Sequence, residues 1–214
     1  MAGFFVVFDG LDGSGKGAMV REAKKYLVAK GIPEQRILIT AEPTRGYHGK
    51  KVRELLAGTV NPDVNAAQFL DLYVQDRKEH IEREILPALR DGKIILCDRY
   101  KYSTFVYQQL QGIAAQKIAA LHGGMPVPDL VFVLDLGVDA ALERIGRRRK
   151  ADSFEKREFL EKVRKSFLSL KGAFPAEQII FIDASQDMRA EVLQIGEKLW
   201  SAYVQNPDFA ELKK

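Results

Sequence analysis

Five apolar, β-favouring residues follow one another at Phe4-Phe5-Val6-Val7-Phe8. The run is too short to span a membrane and lacks the alternation of a strand with one wet face, so it predicts a strand covered on both sides. Similar runs recur at residues 36–40, 93–97, 130–136 and 178–182, separated by longer stretches with helical spacing. Five short strands alternating with helices predict an α/β fold, a three-layer α/β/α arrangement around a five-stranded parallel sheet. Such sheets bind ligands beyond the carboxyl ends of their strands, so chemistry is expected just after each apolar run.

After the first run comes Asp9-Gly10-Leu11-Asp12-Gly13-Ser14-Gly15-Lys16, and residues 18–30 then read as a helix. Strand, glycine loop, lysine and helix together suit a phosphate cradle. Glycines let successive N–H groups converge on one anion, the helix N-terminus adds partial positive charge, and Lys16 can reach a nucleotide's outer phosphates. A glycine-rich βα turn in an unrelated α/β protein is the plainer alternative. The full pattern has Ser or Thr after the lysine, where its hydroxyl ligates magnesium. Here the residue is Gly17, followed by Ala18. Backbone binding of phosphate survives that change, whereas metal ligation by the loop is expected to weaken.

The other strand tips carry further unusual residues. Glu42-Pro43-Thr44-Arg45-Gly46 must turn, because Pro and Gly cannot continue a strand. Arg45, and Arg53 about two helical turns later, can face the sheet's carboxyl edge or lie in water on an ordinary surface loop. Residues 66–86 predict one long helix with Phe69, Leu70, Tyr73, Ile81 and Ile85 along its apolar stripe. Tyr73 and Arg77 share a face. They suit stacking on a base and bonding to its edge, or else a core tyrosine beside a solvated arginine.

The third run ends in Asp98-Arg99-Tyr100. An acid at the tip of a buried strand is the second part of a phosphate-loop site, holding magnesium directly or through water. Arg99 can pair with a phosphate through two N–H groups. Ser103, Thr104, Tyr107 and Gln108 follow as a polar, aromatic helix face unsuited to plain core. Residues 138–150 predict a helix with Arg144, Arg147 and Arg148 on one face. That cluster fits cations at a helix C-terminus, or a lid hinged near Gly146 that closes over phosphates. A nucleic-acid patch is the third reading, although no aromatic residue interleaves with the cluster for stacking.

Composition narrows the classes. A length of 214 residues suits one large domain, spanning 1–214, or two small ones, and no linker, repeat or low-complexity tract divides it. The net charge of +4 is a mild tilt toward anionic partners, which nucleotides satisfy, while 29 acidic residues argue against a simple polyanion binder. The single Cys97 excludes an internal disulfide and reads as inert core. No secretory signal and no run of apolar residues long enough to span a bilayer is visible, so a soluble, cytoplasmic protein is expected, without membrane or nucleic-acid partners.

Taken in order, these residues resemble the thymidylate (dTMP) kinases, within the phosphate-loop nucleoside-monophosphate kinases. The likeness covers nearly the whole chain: the loop from Asp9 to Lys16, Glu42-Pro43-Thr44, Tyr73 with Arg77, Asp98-Arg99-Tyr100 to Gln108, Pro128-Asp129 before Leu134-Asp135, and the arginine cluster with Asp152-Ser153-Phe154-Glu155. The resemblance implies conversion of ATP and dTMP to ADP and dTDP with Mg2+, a single kinase domain with a phosphate loop at 9–17 and a small lid at about 144–155, and a homodimer. It implies ATP binding by Gly10, Leu11, Asp12, Gly13, Ser14, Gly15, Lys16, Gly17, Ala18 and Arg144. Asp12, Arg45, Arg53 and Arg99 would serve the acceptor's sugar and phosphate, Tyr73 would stack on thymine, and Arg77 would reach its O4. Thr104 and Gln108 would read the N3 side, and Tyr107 would stand where a ribose 2′-hydroxyl would intrude. Lys16, Arg99, Asp12 and a lid arginine, Arg147 or Arg148, would carry catalysis, and Asp98 with Asp12 the metal. A sibling kinase for another deoxynucleoside monophosphate, or a nucleotide-binding protein without transfer, are the alternatives.

Overall fold

The computed structural model describes residues 3–57, 66–146 and 154–206, with side chains of 154–156 excepted. Five parallel strands form one sheet in the order β2-β3-β1-β4-β5: β1 Phe4–Gly10, β2 Ile37–Ala41, β3 Ile94–Asp98, β4 Leu130–Asp135 and β5 Ile179–Asp183. Each coincides with an apolar run of the sequence. β1 is central and buried throughout, which is why it reads as a continuous apolar stretch rather than an alternating one. Burying each of its Phe and Val side chains contributes about 1.5–3 kcal/mol.

Helices cover both faces. α1 (Lys16–Ala29) packs beside α10 (Met188–Gln205) on one side. Asp187 caps α10 by accepting from the backbone N–H groups of Arg189 and Ala190 at 2.9 and 3.1 Å. The other side holds α3 (Ala66–His80), α4 (Leu86–Arg90), α5 (Lys101–Leu110) and α8 (Phe154–Leu168). Among the described residues the remaining α-helices are α2 (Tyr47–Ala57), α6 (Ala115–Leu121), α7 (Val138–Gly146) and α9 (Leu170–Ala173).

The long helix expected over 66–86 runs on to Arg90, with a wider π-turn at Ile81–Ile85. Pro87 accounts for it: its ring must clear the carbonyl four residues back and it donates no N–H, so the preceding turn opens. The helix expected over 138–150 is observed to Gly146, and its last four residues lie outside the described range.

All five strands point their carboxyl ends to one edge. Register fixes which residues meet there, since Phe8 pairs with Asp98, Ala41 pairs with Asp98 from the other side, and Gly10 pairs with Leu134. The loops after β1, β2 and β3 therefore share one cleft.

Candidate active site

The end of the cleft where a phosphate is expected is the turn from β1 into α1. Gly10 sits at φ 135°, and a Cβ there would come within 2.5 Å of the Leu134 carbonyl oxygen. Only glycine fits. Gly15 adopts φ 98° at the N-cap of α1, and a Cβ there would meet nothing within 4 Å, so the backbone faces open space. The first turn of α1 has neither a side-chain cap nor an acidic residue. The N–H groups of Ala18 and Met19 donate to the Gly15 carbonyl at 2.9 and 3.1 Å, and those of Lys16 and Gly17 are left for an anion.

Lys16 is buried, its ammonium donating to the carbonyls of Gly10 at 3.0 Å and Leu11 at 2.7 Å. Burial, and then the nearby Arg99 charge, push its pKa down to about 8. Across from it, burial pushes the Asp98 carboxyl up in spite of Lys16 and Arg99. Asp98 Oδ1 and Ser14 Oγ are buried with no hydrogen-bond partner. A Cβ on Gly17 would lie 3.1 Å from Asp98 Oδ2, so the missing hydroxyl of the phosphate-loop pattern falls directly beside that acid. An open amide nest, a buried lysine bonded only to neutral carbonyls and an orphaned carboxylate oxygen fit a nucleotide triphosphate with a divalent cation. Among the described residues no three His, Cys, Asp or Glu side chains converge to hold a metal by themselves.

Arg99 follows in the left-handed region, at φ 75°. A bulky residue rarely adopts it, and strain of this kind persists only where the surroundings enforce it. Asp9 does the enforcing. Fully buried, it accepts from the backbone N–H of Tyr100 at 3.4 Å and of Ser103 at 3.1 Å, and from Ser103 Oγ at 2.5 Å. The Arg99 guanidinium in turn donates to Ser103 Oγ at 2.6 Å and pairs with Asp12. Burial opposes its charge, but Asp12, Tyr107 and Asp9 outweigh that and raise its pKa.

Beside this lies a cavity of about 470 Å³, within the usual range for a small-molecule site. α3 lines one wall with Phe69, Tyr73 and Arg77, and α5 the other with Ser103, Thr104, Tyr107 and Gln108. Asp12 and Arg99 stand at the phosphate end, and Glu42 and Pro43 form part of the lining after β2. Arg77 is only 1% exposed. Its Nε and Nη2 donate to Glu42 Oε2 at 2.8 and 2.6 Å, Nη2 donates to Thr104 Oγ1 at 3.1 Å, and Nη1 donates to His122 Nε2 at 2.5 Å. Burial would discharge both members of the Arg77–Glu42 pair, yet their mutual attraction prevails: Glu42, helped by His80, is held below the usual carboxylate range and Arg77 is raised. Gln108 donates its amide to Gln111 at 2.6 Å while its carbonyl oxygen is buried without a partner, as is the Tyr107 hydroxyl.

Of the residues singled out from sequence, Asp12, Tyr73, Arg77, Arg99, Thr104, Tyr107 and Gln108 line this cavity, and Lys16, Asp98 and the glycine loop adjoin it. Arg53 does not line it. Its guanidinium donates to the carbonyls of Pro43 and Thr44, and Arg45 is exposed. The reading of Tyr73 as core and Arg77 as solvated is reversed: Tyr73 is half-buried and Arg77 deeply so. Asp12 stands paired with Arg99. Arg144 donates to the carbonyl oxygens of Gly13 at 3.4 Å and Ala184 at 3.3 Å, bridging the phosphate loop and the turn after β5. Arg147 and Arg148 lie outside the described residues, as does most of the expected lid. Sequence reasoning missed Glu42 as the counter-ion of Arg77, together with His80, His122 and the anchoring role of Asp9. A carboxylate at a strand's end was the available signal for Glu42 and Asp9; His122 gave none.

Comparison with known proteins agrees across sequence and structure. The family profile described as thymidylate kinase matches residues 8–195. A thymidylate kinase of Brachyspira hyodysenteriae is 38% identical over 192 residues, covering 89% of this chain and 90% of that one. A probable thymidylate kinase of Pyrococcus horikoshii is 33% identical over 200 residues, covering 91% and 96%. The crystal structure of a thymidylate kinase from Ehrlichia chaffeensis superposes with a TM-score of 0.72 at 25% identity, over 93% of this chain and 99% of that one.

Proposed function

The chain belongs to the thymidylate kinase family, and from that premise we propose that it phosphorylates dTMP to dTDP with ATP, through the residues described above. The observation that carries the substrate reading is the polarity of the cavity's inner edge. Arg77 only donates. Thr104 Oγ1 already accepts from Arg77, so its proton is available to a ligand acceptor, and beside it the unpartnered Gln108 oxygen asks for a donor. A carbonyl next to a ring N–H, as in O4 and N3 of thymine, satisfies both; cytosine offers an amino donor to Arg77 and a bare nitrogen to Gln108. Buried polar groups left unpaired are what reject the wrong base. Tyr73 stacks on that base. Tyr107 crowds the 2′ position of the sugar and turns away ribonucleotides.

ATP with magnesium would bring the transferable phosphoryl group and a divalent charge; Gly10 to Ala18, Lys16, Arg144 and Asp98 are the residues that fit them. Lys16 exchanges neutral carbonyls for phosphate oxygens. Arg99, aimed by Asp12, Ser103 and Asp9, holds the acceptor phosphate toward the loop. Phosphoryl transfer needs little covalent help and much charge neutralised in line, which this cluster of cations supplies. Arg147 or Arg148 of the lid adds the last positive charge, and Asp12 assists at the metal. Arg45 stands at the acceptor phosphate, and Arg53 serves it by fixing the turn at Pro43 and Thr44. The chain acts as a single domain and a homodimer in the cytoplasm, without nucleic-acid or membrane partners. Among the described residues no helix is long and apolar enough to cross a membrane.

The test is ADP release with dTMP, dUMP, dCMP and dAMP side by side, with and without magnesium. dTMP is expected to lead. A strong preference for dCMP would overturn the role of Arg77, and ATP binding with no phosphorylated product at any magnesium level would make this a nucleotide-binding protein without transfer.

A further inference from the structure

A guanidinium carries five N–H groups, and four of those on Arg77 are spoken for inside the protein: two by Glu42, one by Thr104 and one by His122. One is left for a ligand. Carboxylate and hydroxyl accept as a matter of course. His122 accepts at Nε2 only when it is neutral and carries its proton on Nδ1. The fold selects that form, because Nδ1 lies 2.7 Å from the Ile118 carbonyl oxygen, which can only accept. Burial, and then the Arg77 charge, keep the ring neutral, with its pKa pushed down to about 4. His122 belongs to the turn after α6 and is 8% exposed; it backs Arg77 without lining the cavity itself.

We infer that His122 is a positioning residue for base specificity, holding the Arg77 guanidinium from behind so that a single N–H is presented to the acceptor's base. This rests on the thymine-reading role proposed above for Arg77. Without that acceptor, Glu42 and Thr104 still hold one side of the guanidinium, but both Nη1 hydrogens are free and one is buried unpaired. The group can then turn toward whatever partner a ligand offers. The penalty for an amino group at that place shrinks, and so does the selection for a carbonyl.

The experiment uses the full chain as wild type, His122→Leu and His122→Gln, the glutamine carbonyl being able to accept from Nη1. The measurements are kcat and KM for dTMP, dCMP and ATP, and the Kd of dTMP by calorimetry between pH 7 and pH 4. In His122→Leu, the KM and Kd of dTMP are expected to rise about tenfold, the loss of one buried hydrogen bond to a charged donor. The dTMP-to-dCMP ratio of kcat/KM falls by a similar factor, while the KM of ATP stays put. His122→Gln recovers most of both. In wild type, dTMP binding weakens toward pH 4 more steeply than in His122→Gln, because only the imidazole stops accepting when protonated. The charged or titratable groups facing that ring are Arg77 of α3, Glu42 after β2 and Lys101 of α5, and all three are common to both proteins. A leucine variant with lowered melting temperature but an unmoved dTMP-to-dCMP ratio would overturn the proposal. Should that variant not fold, identical pH dependence in wild type and His122→Gln would overturn it instead. Wild type that binds no dTMP at all would remove the reading of function and this proposal with it.

Discussion

The two ends of the cleft solve opposite problems with similar residues. At the base end, Arg77 and Glu42 are deeply buried yet each stabilises the other's charge, and His122, Thr104 and His80 take up most of the remaining hydrogen-bonding capacity. At the phosphate end, Lys16 is buried and Asp98 half-buried, but their pKa values move the other way: the ammonium is pushed down to about 8 and the carboxyl up. Both shifts mean that folding disfavours the charged forms present at neutral pH. The Arg77–Glu42 ion pair at the base end is complete without ligand, and what it leaves open is one Arg77 N–H, the Gln108 carbonyl oxygen and the Tyr107 hydroxyl. The phosphate end is electrostatically incomplete, with polar atoms of Asp98 and Ser14 unpartnered, which suits the nucleotide proposed to bind there. On the proposed function, base recognition would rest on preorganised bonds, and phosphate binding on relief of stored electrostatic cost.

Breaking the base end should cost the most. Glu42→Leu leaves the Arg77 cation buried without its counter-ion, and a loss of about 3–5 kcal/mol of stability is expected in denaturant titrations. Adding Arg77→Met should restore much of it; a single variant of unchanged stability would contradict the contrast.

Acid attacks the same end through His122. Its folded pKa, about 4, lies below the unfolded value of 6.5. Above pH 6.5 neither state binds the proton. As pH falls toward 4 the unfolded chain takes it up and the folded chain does not, so stability declines, by about 3 kcal/mol at the limit. Unfolding curves for wild type and His122→Gln across that window isolate the contribution, and parallel curves would deny it.

At the phosphate end, removing a buried charge should harm activity and spare the fold. Lys16→Met is expected to lower kcat about a hundredfold or more, with a melting temperature unchanged or raised. A marked loss of stability would show Lys16 to be structural instead. Its lowered pKa gives a subtler signal: near pH 8.5, ATP binding should take up a fraction of a proton, read from binding enthalpies in buffers of different ionisation heat.

The smallest expected effect is at Gly17→Ser. The new Cβ meets Asp98 Oδ2 at 3.1 Å, so the carboxylate must yield by a few tenths of an ångström, and the hydroxyl gains a place at the metal. A few-fold lower magnesium midpoint is expected, about 1 kcal/mol or less. An unchanged magnesium requirement would mean that position 17 was never the weak point.

What could be read without coordinates was local. The apolar run Phe4 to Phe8, the glycine loop and Lys16 are contiguous, and backbone sterics convert such a segment into strand, anion nest and helix almost independently of the rest. Asp98 and Arg99 were legible because a strand tip of a parallel sheet has one destination. The burial of Arg77 was not legible. An arginine one turn from a tyrosine looks the same in sequence whether it faces water or a carboxylate, and Glu42 and His122 stand 35 and 45 residues away from it.

The sequence alone therefore determined the sheet, the glycine loop and the place of Lys16, Asp98 and Arg99 at its edge, because periodicity and glycine act through the chain's own backbone. Only the tertiary structure decided which buried polar groups satisfy one another: the carboxylate that keeps Arg77 charged, the imidazole that orients it, and the aspartate that forces Arg99 into a left-handed turn. Those choices depend on which distant segments pack against each other once water is excluded, since a buried donor must find its acceptor there or lose its hydration without return.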